Sequence, residues 1–267
     1  MAVITRTSGT LEYLVAEGIS VPHGFTTRLG GVSTGYLASM NIGLHRGDDR
    51  NRVEENYRIL SRAMGFDPEK LVLTKQIHSD IIRTVGREHW GQYLVEGASP
   101  VCDALITNDP GTVLTIFTAD CTPILLQDPI TGAVGAVHAG WRGTAMDIAG
   151  KTVARMVAEF GCDPKNIRAA IGPNIGPCCF QTDGEVPRAL LQTYGTAAAS
   201  FIGEKDGKFY PDLKQINALS LKNAGVARIE ISQDCTMCQH EKYWSHRYTR
   251  GQRGSQGAMI VCKEANR

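Results

Sequence analysis

The sequence predicts a mixed α/β fold: a layered sandwich of mixed β-sheets flanked by helices, folded as a single domain across residues 1–267. Three observations predict it. Strand-like apolar runs and segments of helical period are interleaved, but not in strict strand–helix–strand order, which argues against a parallel barrel or a Rossmann domain. No GxGxxG follows a strand, and there is no Walker loop. No Pro/Ser/Gly-rich linker divides the chain, which is long enough to bury a large core.

The elements follow in order. Residues 1–20 read as one or two edge strands. Residues 23–49 are glycine-rich, polar and without helical period, yet carry Phe25, Tyr36, Met40 and Ile42. Such a stretch reads as a folded loop lining a site, with Arg28, Asn41 and Arg46 as candidate ligand contacts. Val53, Tyr57, Leu60 and Met64 repeat at helical spacing, and Gly65 closes that helix. A strand from Leu71 runs toward Gln76 and His78, and a short one covers 81–85. Residues 86–102 read as a loop. Strands follow at 102–107 and 112–121, then at 123–128 and 132–138 around the Asp128–Gly132 turn. One helix is expected from Gly143 to Phe160, stopped by Gly161. A strand at 167–172 leads into a Gly/Pro turn at 172–180, and helices are expected over 183–194 and 212–224. Strands at 228–232 and 258–262 enclose a basic aromatic loop at 243–256.

Composition narrows the function. A net charge of +1 argues against a broad basic face for nucleic acid or an anionic membrane, so any anion must be held by a local arginine cluster. The start shows no cationic segment leading into a long apolar core, and no run approaches ~18 apolar residues. A cytoplasmic location is expected. Eight cysteines without a secretory signal then read as thiols and not as a disulfide framework. The CxxC at Cys235 and Cys238 has no second such pair and reads as two ordinary thiols. Cys178 and Cys179 read as structural.

The chemistry concentrates between Thr118 and Thr144. Asp120 and Cys121 precede one apolar run, and His138 ends the next. Two sibling strands would bring Cys121 and His138 to neighbouring positions at the edge of one sheet. With His78 as a third donor, the set matches a catalytic zinc site, which uses three protein ligands and leaves a fourth position open. A Cys121–His138 nucleophilic dyad, metal-free, uses the same residues. A multicopper cluster needs many histidines, commonly as His-x-His pairs. The chain has seven histidines and no such pair, so Cu2+ is disfavoured against Zn2+.

The motifs FTTRLGGVS (25–33), SMNIG (39–43), QIHSD (76–80), CDALIT (102–107), TADCTPILLQD (118–128), VHAGWRGT (137–144), IGPNIGPCCF (171–180), DCT (234–236) and WSHRYTRGQRG (244–254) occur in this order. In this series the chain resembles the YfiH/YlmD family of laccase-domain proteins, once labelled multicopper polyphenol oxidases. The resemblance implies a zinc-dependent purine nucleoside enzyme. Its expected reactions are phosphorolysis of adenosine, inosine, guanosine and methylthioadenosine, and deamination of adenosine. Purine nucleosides and phosphate are the implied partners, and no obligate protein partner is indicated. By motif match the zinc ligands fall on His78, Cys121 and His138. Asn41 and Gln76 are assigned to the nucleoside. Arg46, Arg142 and Arg247 compete for phosphate, with Arg247 first because it lies in a basic loop. Asp120 is either a proton carrier or an acid that orients a loop. In the first helix the family often carries arginine directly after the asparagine; here Asn56 is followed by Tyr57, and Arg58 becomes the candidate contact.

Overall fold

The computed structural model describes residues 2–92 and 99–263. Its strands are β1 (Val3–Ser8), β2 (Leu11–Ala16), β3 (His23–Thr26), β4 (Leu71–Leu73), β5 (Ile82–Thr84), β6 (Ala104–Thr107) and β7 (Val113–Thr118). They continue as β8 (Thr122–Gln127), β9 (Val134–Ala139), β10 (Arg168–Ile171), β11 (Ile202–Lys205), β12 (Lys208–Pro211), β13 (Arg228–Ile231) and β14 (Gln256–Val261). The helices are α1 (Arg50–Met64), α2 (Trp141–Ala145), α3 (Ile148–Phe160), α4 (Glu185–Tyr194), α5 (Leu213–Asn223) and α6 (His246–Thr249).

Two six-stranded sheets carry the fold, in the orders β1-β2-β3-β14-β7-β4 and β13-β10-β8-β9-β6-β5. Both are mixed. β4 runs parallel to β7, β5 to β6 and β10 to β13, while the other pairings are antiparallel. The alternation of side chains along each strand builds three layers of core. Leu114, Ile116, Ala258 and Ile260 of the first sheet meet Leu105, Leu125 and Ala136 of the second. The opposite face of the second sheet, with Ile106, Ile124 and Val137, is covered by Ile148, Val153 and Met156 of α3 and Leu221 of α5. The opposite face of the first, with Leu71, Val113 and Met259, is covered by Val53, Tyr57 and Leu60 of α1. The layered sandwich expected from the sequence is therefore present. Each fully buried leucine contributes roughly 1.5–3 kcal/mol of transfer free energy.

Local chemistry sets the boundaries. Asp49 caps α1 by accepting from the Asn51 amide, and Gly65 ends it in the left-handed region at φ 75°. Asp212 caps α5 through the amides of Lys214 and Gln215.

Several expectations are corrected. The 23–49 stretch opens with a strand, β3, paired to both β2 and β14. The single helix expected after Gly143 is two, α2 and α3, divided at Asp147, which adopts φ 60°. Asp147 accepts hydrogen bonds from the hydroxyls of Tyr194 and Ser220, and those long-range bonds hold the break that local periodicity does not show. An unassigned segment forms the β11–β12 hairpin. The basic loop contains the one-turn α6, and β14 begins at Gln256. Part of the expected loop at 86–102, residues 93–98, lies outside the described residues.

One connection matters most for the site. β7 belongs to the first sheet and β8 to the second, so Ala119–Cys121 is the crossover between them. Asp120 makes the turn at φ 91°.

Candidate active site

Cys121 leaves this crossover directly before β8, and His138 lies in the neighbouring β9, where it pairs with Pro123. The turn at Asp128–Gly132 sets that register. The two strands are interior members of the second sheet, so the residues meet at its end and not at an edge strand. His78 reaches them from the segment between β4 and β5, in a left-handed conformation at φ 61°. The donor atoms of His78, Cys121 and His138 all lie within 4.8 Å of one another. Cys121 Sγ is 3.9 Å from His78 Nε2, and the imidazole centroids are 5.0 Å apart, edge to face. His78 is exposed, Cys121 half-buried and His138 buried, so the cluster runs from solvent inward.

Asp103 organises the histidines. His138 Nδ1 donates to Asp103 Oδ1 at 2.8 Å. The same carboxylate accepts from the amides of Ile77, His78 and Ser79 and from the Ser79 hydroxyl. It therefore fixes the His138 tautomer and shapes the turn that presents His78. Burial alone would raise the Asp103 pKa, but the hydrogen bonds from His138 and Ser79 hold it well below the usual carboxylate range. Desolvation opposes ionisation of Cys121 too, but the neighbouring histidines outweigh it, and His138 draws the thiol toward thiolate. Burial disfavours charge on His138, and Cys121 and Asp103 together raise its pKa above the ordinary value.

Gly140 completes the cradle. A Cβ there would stand 3.0 Å from His78 Cδ2 and 3.1 Å from Cys121 Sγ. Two imidazoles, one thiol and a glycine-made gap fit a divalent metal held by three ligands, whose donors stand about 3.5 Å apart around such an ion. A carboxylate behind a ligating histidine is the usual support for such a centre.

A cationic rim adjoins it. Arg46 Nε and Arg253 Nη1 both donate to Ser255 Oγ, each at 3.2 Å. Arg253 Nε is buried without a hydrogen-bond partner. Desolvation, joined by the charge of Arg46, lowers the Arg253 pKa to about 10, against the pull of Cys121 and Asp120. His246 faces the charges of Arg253, Asp120, Arg46 and Arg247. Arginines sharing one hydroxyl beside a buried unpaired N–H are groups that could receive an anion.

The remaining candidates divide. Asp120 accepts from Thr236 Oγ1 at 2.6 Å and from the Arg247 amide at 2.7 Å, so both carboxylate oxygens orient loops. Arg247 itself is exposed and donates to Gln181 O. Arg142 is exposed at the start of α2, stacked 4.2 Å over its neighbour Trp141, which packs against the α4 cluster. Gln76 acts as an extra strand rung, donating to Phe117 O and accepting from its amide. Two further candidates are engaged within the fold. Asn41 is buried, with its amide donating to Asp48 and Gly43 and accepting from Gly43 and Ser255. Its four bonding positions are filled, and it steadies the loop behind Arg46. Arg58 lies exposed on α1 in ion pairs with Glu54 and Glu55 and is not brought to the cluster. Arg28, likewise, stacks over Trp244 and donates to backbone carbonyls. Asp103, Gly140, Arg253 and His246 escaped the sequence reading. All four sat inside quoted motifs, but nothing local distinguished them from their neighbours.

A surface hollow of about 430 Å3 between α3 and α5 contains none of these residues. No helix among the described residues is long and apolar enough to cross a membrane.

A two-sheet sandwich thus carries a His–Cys–His cluster at the crossover between its sheets. A family model described as multi-copper polyphenol oxidoreductase laccase matches residues 22–263, and the chain belongs to that family. It is 39% identical over 246 residues to the purine nucleoside phosphorylase YlmD of Geobacillus stearothermophilus, covering 90% of each chain. It is 38% identical over 223 residues to the purine nucleoside phosphorylase YfiH of Escherichia coli, covering 83% of this chain and 86% of that one. The crystal structure of YlmD from Geobacillus stearothermophilus superimposes with a TM-score of 0.91 at 37% identity, covering 98% of this chain and 100% of that one.

Proposed function

We propose that this protein is a zinc-dependent purine nucleoside phosphorylase that cleaves adenosine, inosine, guanosine and methylthioadenosine and also deaminates adenosine. The observation that carries the reading is the convergence of His78, Cys121 and His138 beside the Arg46–Ser255–Arg253 rim. The names of the relatives support it.

His78, Cys121 and His138 would hold the metal, with the soft thiolate favouring zinc over magnesium or calcium. Zinc in such a site supplies a Lewis acid and lowers the pKa of a coordinated water toward about 7. Asp103 keeps His138 Nε2 directed at the centre. Arg46 and Arg253 would bind phosphate, with Arg247 at the outer side. Phosphate oxygen then attacks C1′ of the ribose while the bond to the purine nitrogen breaks. The base leaves with the bonding pair and takes up a proton, and ribose 1-phosphate remains. Held charges positioned before the reaction are the main catalytic resource here. The polar donors around the rim orient the substrate, and Asp120 keeps the two loops that carry Thr236 and Arg247 against the crossover.

The test is chromatography of purified protein with adenosine or inosine, with and without phosphate, alongside elemental analysis. The expected result is free base and ribose 1-phosphate only when phosphate is present, and inosine from adenosine without it. Full activity after chelation, lost on alkylation of Cys121, would replace this reading with a metal-free cysteine enzyme built on Cys121 and His138. Copper-dependent oxidation of a phenol, absent from zinc-loaded protein, would return it to the family's older label.

A further inference from the structure

We propose that Cys178, Cys179, Cys235 and Cys238 form a second metal centre, a structural tetrathiolate zinc site separate from the His78–Cys121–His138 cluster. In sequence these residues are an adjacent pair and a CxxC more than fifty positions apart, and each looks ordinary. The fold gathers them, with all four sulfurs within 4.8 Å of one another. Cys238 Sγ lies 3.5 Å from Cys178 Sγ and 3.4 Å from Cys179 Sγ. Zinc bound to four sulfurs at about 2.3 Å sets them about 3.8 Å apart, so small side-chain movements complete the tetrahedron.

The surroundings suit thiolates bound to a cation. The Gly176 amide donates to Cys235 Sγ at 3.2 Å. A Cβ at Gly176 would stand 3.3 Å from Cys178 Sγ and 3.4 Å from Cys235 Cβ, so glycine allows the backbone this close to the sulfurs. Lys214 is buried and donates its Nζ to the carbonyl of Asp234, next to Cys235. A zinc ion with four thiolates carries two net negative charges, and this lysine offsets part of them. Cys235 closes the site from the interior, while exposed Cys178 and Cys238 leave an entry for the ion. The even spacing of Cys238 to both members of the adjacent pair fits a hub around one ion better than a single disulfide, which would commit two sulfurs and strand the others.

Such a centre would tie together the two segments that hold Asp120. Asn174 bridges to Cys235. Ile175 donates its amide to Asp120 O, and Thr236 donates its hydroxyl to Asp120 Oδ1. The second metal thus anchors the crossover that presents Cys121, without joining the reaction.

The experiment is native mass spectrometry with elemental analysis of the full chain, stripped of metal and reloaded with zinc under a thiol-free reductant. Wild type should take up about two zinc ions per chain, and both the His78→Ala/His138→Ala and the Cys178→Ser/Cys238→Ser proteins about one. Cobalt loaded into His78→Ala/His138→Ala should give the intense sulfur-to-metal absorption of a tetrathiolate, which reads the site without altering its cysteines. About one zinc in wild type with none in His78→Ala/His138→Ala would overturn the proposal. So would iron with labile sulfide in place of zinc, or a mass two hydrogens lower at these cysteines with no metal bound.

Discussion

His138 and Asp103 meet twice, the His138 amide donating to Asp103 O at 2.7 Å and its Nδ1 to Oδ1 at 2.8 Å, and the second bond turns Nε2 of His138 toward Cys121. The carboxylate also accepts the amides of residues 77 to 79, so one buried acid sets both histidines. Asp103→Asn keeps the shape but weakens that alignment. Zinc affinity, read by competition with a chromophoric chelator, is expected to fall about 10–100-fold. Unchanged affinity would remove Asp103 from the positioning role.

Gly140 offers a test that leaves every donor in place. In Gly140→Ala the new methyl presses on His78 Cδ2 and Cys121 Sγ. Its backbone, at φ −66°, accepts alanine without strain, so the melting temperature should change little. Metal loading should drop all the same. Full zinc occupancy in Gly140→Ala would show that the cradle is looser than these contacts require.

Arg253 and Arg58 make a contrasting pair. Arg253→Gln removes a half-buried guanidinium from the rim, and KM for phosphate should rise about tenfold or more, a loss of about 1.4 kcal/mol or more in binding. Zinc content should stay the same. Arg58→Ala removes exposed ion pairs on α1, worth at most about 1 kcal/mol together, and should leave phosphate kinetics within about twofold. A reversed pattern in steady-state kinetics would move the phosphate site.

His246 supplies a pH signature. Desolvation first, and then the Arg253, Arg46 and Arg247 charges, lower its pKa below the ordinary 6.5, while Asp120 opposes them. The fold therefore takes up this proton less readily than the unfolded chain does. Its contribution to stability is complete above the unfolded value and is lost as pH falls through it, toward the folded value. The proton resonances of His246 should titrate below 6.5 in wild type and closer to it in Arg253→Gln. His246→Asn should flatten the acid side of the stability curve. A wild-type midpoint above 6.5 would contradict the charge arrangement.

How much of this was legible beforehand depends on the range of each interaction. The β8–β9 pairing follows from two apolar runs and a tight turn, and it brings Cys121 beside His138 with no distant information. His78 came from counting donors and from the motif series, since nothing in QIHSD fixes where that turn lands. Asn41 shows the opposite case. A polar residue in a glycine-rich loop looks available for a ligand, yet its amide is filled by Asp48, Gly43 and Ser255, one of them more than two hundred positions away. The setting of Arg58 has a simpler cause. A motif shifted by one residue turns a side chain by about 100° around a helix, and this one points to solvent and acidic neighbours.

Composition and periodicity were enough for the layered fold and for the metal-capable donors at Cys121 and His138. Those features rest on repeats of two or 3.6 residues and on turns, which are local. Three others arose when separate segments came into contact. Asp103 reaches behind both histidines, Arg46 and Arg253 share Ser255 across the chain, and four scattered cysteines face one another. Each is a long-range juxtaposition made by stacking two sheets and closing loops over their common end. No spacing along the chain encodes such a meeting, because it depends on how the apolar faces pack before the polar groups find their partners.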